Sequence, residues 1–398
     1  MKTRWFHFSQ KLILLFALVI SACSEDVLLT FETTGGDKLR PLAIVTFAVD
    51  LERGTYIARD HTGKRAALQV DGEGRATFLV SRVLPGATTR WTVRLDQDGT
   101  ANVEAVSRGD VILIRADGRD VAAYRTAKGA MPREDIPEVY SRDGYLHPVW
   151  TPSGRIVTDD YPPDHIHHHG IWAAWTNTIF QGRTPDFWNM GRATGRVEVV
   201  ALDSIWSGVV HAGLNARHRY VDMINEEVTA LNEVWHVQVY RTSADLNILD
   251  LSLTQVAATD SVLVFPEYRY GGVGVRGHRD WVGEEGTEFF TSEGLTRENG
   301  HATRARWCHI GGIVDGERVG IAVLSHPDNH ESPQPMRIHP TEPFFNFAPT
   351  QAGLFQITSD EDMTWKYRFV TYDGAYDQDL LDALWEDYAN PLTVHIVR

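Results

Sequence analysis

The sequence predicts an all-β protein, with a small N-terminal β-sandwich followed by a large antiparallel β-sandwich and one C-terminal helix. Three observations carry this. Short β-branched and aromatic runs recur along the chain, Gly- and Asp-rich turns separate them, and only one stretch has a helical period. The chain has 398 residues, of which 43% are hydrophobic and 23% charged. That is ordinary globular composition with room for one large or two smaller cores.

In the first part the runs are Ala43 to Val49, Arg75 to Val80 and Thr89 to Arg94, bounded by turns such as Asp71-Gly-Glu-Gly74 and Asp96-Gln-Asp-Gly99. The longer series from about residue 100 includes Val111 to Ile114, Val197 to Leu202, Val234 to Tyr240, Leu246 to Leu253, Val319 to Leu324 and Trp365 to Tyr372. At 234–240, Trp235, Val237 and Val239 fall on one face and His236 and Gln238 on the other, as in a strand with one buried face. The helix is expected over Asp377 to Tyr388, with apolar residues at 380, 381, 384, 385 and 388, and Asn390-Pro391 stops it. The expected divisions are 1–22, 23–100 and 101–398.

The first 22 residues read as an export signal. Lys2, Arg4 and Lys11 are basic, Leu12 to Ile20 is a short apolar core, and Ser21-Ala22-Cys23 follows. This looks like a bacterial lipoprotein signal with Cys23 as the lipidated residue, which implies a cell-envelope location and membrane contact through a lipid anchor alone. An ordinary cleaved signal is the alternative. No later run approaches the roughly 20 apolar residues of a membrane-spanning helix. Without the signal the formal charge falls from −15 to −18. A broad nucleic-acid surface is therefore not expected, because phosphate contacts need clustered Lys and Arg. With 2 Cys in all there is no disulfide scaffold.

The chemistry-bearing segment is Asp159-Asp-Tyr-Pro-Pro-Asp-His-Ile-His-His-His-Gly170, where four of the 17 histidines fall within five positions. Read as extended backbone, it puts His165, His167 and His169 on one side and His168 on the other. His165, His167 and His168, with Asp164 to orient one imidazole, could hold a divalent metal. They could equally serve as a metal-free acid/base or sugar-binding site, or merely hydrogen-bond a buried turn. Trp172, Trp175, Phe187 and Trp188 follow closely, either as sugar-stacking rings or as core. Pro266-Glu-Tyr-Arg-Tyr-Gly-Gly-Val-Gly-Val-Arg276 supplies Glu267, Tyr270 and Arg276 to a site, or is a bulged strand. Ser325-His-Pro-Asp-Asn329 supplies His326, Asp328 and Asn329, or is an Asx-type turn.

Tyr145-Leu-His-Pro-Val-Trp-Thr-Pro-Ser-Gly154, Asp164-His-Ile-His-His-His-Gly-Ile-Trp172, Asp186-Phe-Trp188, Tyr270 to Arg276 and His326 to Asn329 together resemble the bacterial family labelled "methane oxygenase PmoA", whose function is unknown. Relatives usually show Asp-His-Pro-His-His-Arg/Lys-Gly. Here Ile166 replaces the proline and His169 the basic residue. The resemblance implies a secreted or lipid-anchored protein with a galactose-mutarotase-like supersandwich, associated with sugar-processing genes. It does not imply a membrane methane monooxygenase, which spans the bilayer many times. The superfold leaves the reaction open among hydrolase, lyase and epimerase types.

The expected function is accordingly a lipid-anchored carbohydrate-active enzyme. His165, His167, His168, Asp164 and Glu267 would be catalytic, and His147, Trp172, Trp188, Tyr270, Arg276, His326, Asp328 and Asn329 would surround a carbohydrate ligand. Two alternatives stand beside it. A non-catalytic glycan-binding lipoprotein would expose positions 172, 175 and 188 on one face, and a copper-storing protein would follow from the histidines alone, although only 6 Met are present.

Overall fold

The computed structural model describes residues 27–97 and 99–397, so the expected signal and Cys23 lie outside the described residues. Seven antiparallel strands form the N-terminal sheet, in the order Arg40–Ala48, Arg75–Val83, Arg65–Val70, Gly54–Asp60, Thr88–Leu95, Leu29–Thr34 and Thr393–Val397. The Asp71 turn works as expected: its Oδ1 accepts the N–H of Glu73 (2.8 Å) and of Arg75 (3.0 Å). Phe31, Phe78 and Trp91 fill the core, with Phe78 edge-on to both others at 5.4 and 5.3 Å. The seventh strand comes from the far end of the chain, pairing Thr30 with Val397 through Thr34 with Thr393. The first unit is thus completed by residues well beyond position 100, which cover the edge that Leu29–Thr34 would otherwise present.

Two eight-stranded antiparallel sheets and a three-stranded one make the large sandwich. The first large sheet runs Met336–Ile338, Phe344–Phe347, Gly272–Arg276, Ile171–Ala174, Leu146–Val149, Arg119–Arg125, Val111–Ala116 and Val103–Arg108. The second has its longest strands at Gly195–Trp206, His211–Asp222, Val228–Tyr240 and Leu246–Ala257, and continues through Met363–Asp373, Glu317–Ser325, Trp307–Val314 and Glu288–Thr291. Trp235, Val237 and Val239 point into the core between these layers, as their alternation requires.

One α-helix, Gln378–Ala389, is present among the described residues, and Asp377 caps it by accepting the N–H of Leu380 at 3.0 Å. Leu381 and Leu384 pack on Ile248, Leu324 and Val370 of the second sheet and with Ile44 of the N-terminal sheet. Burial of each leucine contributes about 1.5–3 kcal/mol. The helix also ties the units by polar contact, since buried Asp387 accepts the N–H of Ile44 at 3.1 Å and faces Arg368 at 3.4 Å.

Candidate active site

The site is built on the strand Gly272–Arg276, which lies between Ile171–Ala174 and Phe344–Phe347. Gly274 allows a close approach here, because a Cβ would stand 2.9 Å from the Trp188 ring and 3.1 Å from Trp172. Arg276 ends this otherwise apolar strand with no exposed surface. Its guanidinium forks Asp164, Nη1 to Oδ2 and Nη2 to Oδ1, each at 2.9 Å, and Nη2 reaches Glu342 Oε2 at 3.3 Å.

Asp164 in turn accepts His165 Nδ1–H at 2.8 Å. A carboxylate can only accept there, so the neutral imidazole carries its proton on Nδ1 and presents Nε2 bare. Burial works to raise the Asp164 carboxyl, but the hydrogen bonds from His165 and Glu342 and the Arg276 charge hold it well below the usual carboxylate range. Glu342 moves the other way, raised by burial and by the neighbouring Asp164.

The histidine segment is not extended. His165 N–H bonds Pro162 O (3.2 Å) and His168 N–H bonds His165 O (2.8 Å), two successive turns closed by Tyr161 N–H on His168 O at 3.1 Å. Pro162 and Pro163 direct the chain into these turns rather than onward as a strand. The expected facing is therefore corrected: His165, His167 and His168 cluster, with ring centroids 5.7, 4.8 and 4.6 Å apart. His169 lies beneath them, donating to Asp160 at 2.8 Å and packed between Tyr145 and Tyr161, so it anchors the loop.

The three-imidazole metal set is not assembled either. The rings of His165 and His168 stack at 16°. Among the described residues, the ligand atoms that come within 4.8 Å of one another belong to Asp164, His165 and Glu342. A divalent metal there would compete with Arg276 for both carboxylates.

A pocket of about 190 Å³ opens onto this arrangement, lined by His165, His167, His168, His339, Arg269 and Arg337 and by Trp188, Asn189, Tyr270 and Phe344. His167 and Asn189 also line an adjoining hollow of about 500 Å³ with Asp186, Thr176 and Tyr268. Burial, then the nearby His165, pushes His167 down to about 4. Burial and Arg337 do the same to His339, also to about 4. His168, wedged against Phe344 at 4.7 Å and Trp172 at 5.1 Å, is held well below its ordinary value by burial and by His167. These three imidazoles are neutral near pH 7. His339 is oriented by Glu342 N–H, which donates to its Nδ1 at 3.0 Å.

Of the other expected residues, Trp188 and Tyr270 reach the pocket. Tyr270 donates to Asn189 Oδ1 at 3.1 Å, and Asn189 is held by Asp186 at 2.7 Å. Trp172, Trp175, Phe187 and Trp188 are all buried, so these rings form no exposed aromatic platform. His147 is half-buried outside the pocket, bonded to Thr158 Oγ1 at 3.0 Å. Glu267 is exposed outside it.

His326, Asp328 and Asn329 follow the strand Glu317–Ser325 of the second large sheet, away from the pocket. Asn329 bonds Lys366 N–H and O (2.7 and 2.8 Å), and the His326 ring meets Tyr388 of the helix at 4.9 Å, so this segment is a tied turn. The sequence reading missed Glu342, His339, Arg337 and Arg269. A signal was present for the first, because a buried arginine on an apolar strand requires carboxylate partners.

A family model described as a family of unknown function, DUF6807, matches residues 112–386. No curated protein matches. Among solved structures, the chain is similar to an alpha-mannosidase from Enterococcus faecalis V583, with 11% identity and a TM-score of 0.47. It is also similar to a protein in the glycosyl hydrolase family 38 from Enterococcus faecalis, with 9% identity and a TM-score of 0.46. Each match covers 93% of this chain, which spans less than half of those two proteins, 46% and 47% respectively.

Proposed function

We propose that this chain, which belongs to the DUF6807 family of unknown function, is a carbohydrate-active enzyme that moves protons on a sugar at the His165 pocket. The observation that carries the reading is the Asp164–His165 pair, fixed by Arg276 and opening into a recessed pocket with an unpartnered imidazole nitrogen. His165 Nε2 takes a proton from the substrate or from a water, and Asp164 stabilises the imidazolium that forms. His167, neutral and beside it, is placed to relay or return a proton. Half-buried Tyr270 lines the pocket beside the buried edge of Trp188 and offers an apolar wall to a sugar. The same parts serve hydrolase, lyase or epimerase chemistry. Anchoring through Cys23 is part of the proposal, and incorporation of radiolabelled palmitate, lost in Cys23→Ala, checks it.

The test is a glycan and oxidised-sugar panel followed by NMR in D₂O, with the parent protein and His165→Gln side by side. The parent should give a product or exchange a sugar C–H, and the variant should be at least about 100-fold slower. Binding without product or exchange in the parent, weakened in the variant, would overturn the enzyme in favour of a glycan-binding protein. The burial of Trp172 and Trp175 speaks against that second reading.

A further inference from the structure

We infer that the sugar taken by this pocket carries an anionic group, a carboxylate or a phosphate, held by Arg269 and Arg337; this rests on the function proposed above. Both arginines line the pocket with His165 and His339. The Arg269 guanidinium lies over the Tyr270 ring at 5.4 Å, and Arg337 Nη1 reaches His301 Nε2 at 3.4 Å. Neither forms an ion pair with a carboxylate among the described residues. Arg337 is half-buried and Arg269 exposed at the pocket mouth, whereas Arg183, Arg196 and the buried Arg368 pair with Asp222, Glu198 and Asp250.

The two guanidiniums also act on one another. Burial, then the Arg269 charge, lowers Arg337 from its ordinary value. Of the carboxylates around the pocket, Asp164 and Glu342 are already engaged by Arg276, and Asp186 lines the adjoining hollow, where it accepts from Asn189. His167 and His339 stay neutral near pH 7 and add no counter-charge. The pocket therefore holds two arginines without an ion-paired carboxylate, on a protein of formal charge −15. A planar guanidinium pairs best with carboxylate or phosphate oxygens. An anion seated there would leave the sugar in the same pocket as His165.

Calorimetric titration of the full chain tests this with matched pairs: galactose and galacturonate, glucose and glucuronate, glucose and glucose 6-phosphate. Acetate and inorganic phosphate serve as sugar-free anions. Arg269→Gln, Arg337→Gln and the double variant are run beside the parent, with melting curves to confirm folding. At least one charged sugar should bind tenfold or more tighter than its neutral partner. The advantage should shrink with added salt and fall below threefold in the double variant. Whether the uronates or the phosphate show the advantage identifies the group. Equal binding of neutral and charged partners, or an advantage that survives in the double variant, overturns the inference and leaves the sugar enzyme standing. Acetate or phosphate binding as tightly as the charged sugars would overturn it as well, since no sugar would be recognised. Absence of binding by every compound also overturns it, and the His165→Gln comparison then judges the enzyme on its own.

Discussion

Two of the molecule's carboxylate–imidazole pairs have almost the same length but opposite surroundings. His165 donates to Asp164 at 2.8 Å, and His218 pairs with Glu233 at 3.0 Å. The second is sealed in the sandwich core. Glu233 also accepts from Tyr220 (2.9 Å), Trp235 (2.5 Å) and Gln255 (2.6 Å), while the far nitrogen of His218 meets Tyr124 OH at 2.5 Å. Every valence there is used, so the pair holds strands together and has nothing left to offer a ligand. The first pair is clamped from behind by Arg276 and left open in front. What separates these two pairs is that the second nitrogen of His218 is bonded in the core while that of His165 opens into a pocket.

The contrast can be broken by experiment, most severely at Glu233. Glu233→Ala strands four donors in the core and should cost about 3–5 kcal/mol, read by urea denaturation; a loss under ~1 kcal/mol would mean the network is not fully buried. His165→Gln should leave stability within about 1 kcal/mol while abolishing turnover, and a collapse in stability would make the two pairs alike. Gly274→Ala pushes a methyl against Trp188 and Trp172 and should cost about 1–3 kcal/mol by thermal melting, weakening sugar binding in parallel.

Acid should act on the open site. His167 and His339 take up protons near 6.5 when unfolded but only near 4 when folded. The unfolded state binds more protons between those values, so stability falls as pH drops through that window. The slope is at most about 1.4 kcal/mol per pH unit for each group, less where water screens the charge. Melting temperatures from pH 7 to 4 should flatten in His167→Gln. The smallest effect belongs to Asp328→Asn: its ion pair with Lys366 is mostly exposed, and the change should fall within ~0.5 kcal/mol.

How far these features were legible depended on sequence distance. Trp235, Val237 and Val239 declared their face by alternation, and the helix by its period and its Asp377 cap, because both are local patterns. The histidine cluster was visible as composition, but its facing was not, since the turns after Pro163 break the period of two. Arg276 was visible, whereas Glu342 and His339 come from a strand connection about 65 residues later and join the site only through sheet pairing. The strand Thr393–Val397 was illegible for the same reason: five residues after Pro391 reveal nothing of a partner near residue 30.

That last strand has a consequence for the order of synthesis. The ribosome delivers residues 29–95 first, yet their sheet keeps a raw edge at Leu29–Thr34 until residues 393–397 have emerged. Some three hundred residues of sandwich must be made while that edge waits, and a nascent chain stalled or clipped before residue 393 carries it exposed. Within residues 29–397, the unit translated first is the unit finished last.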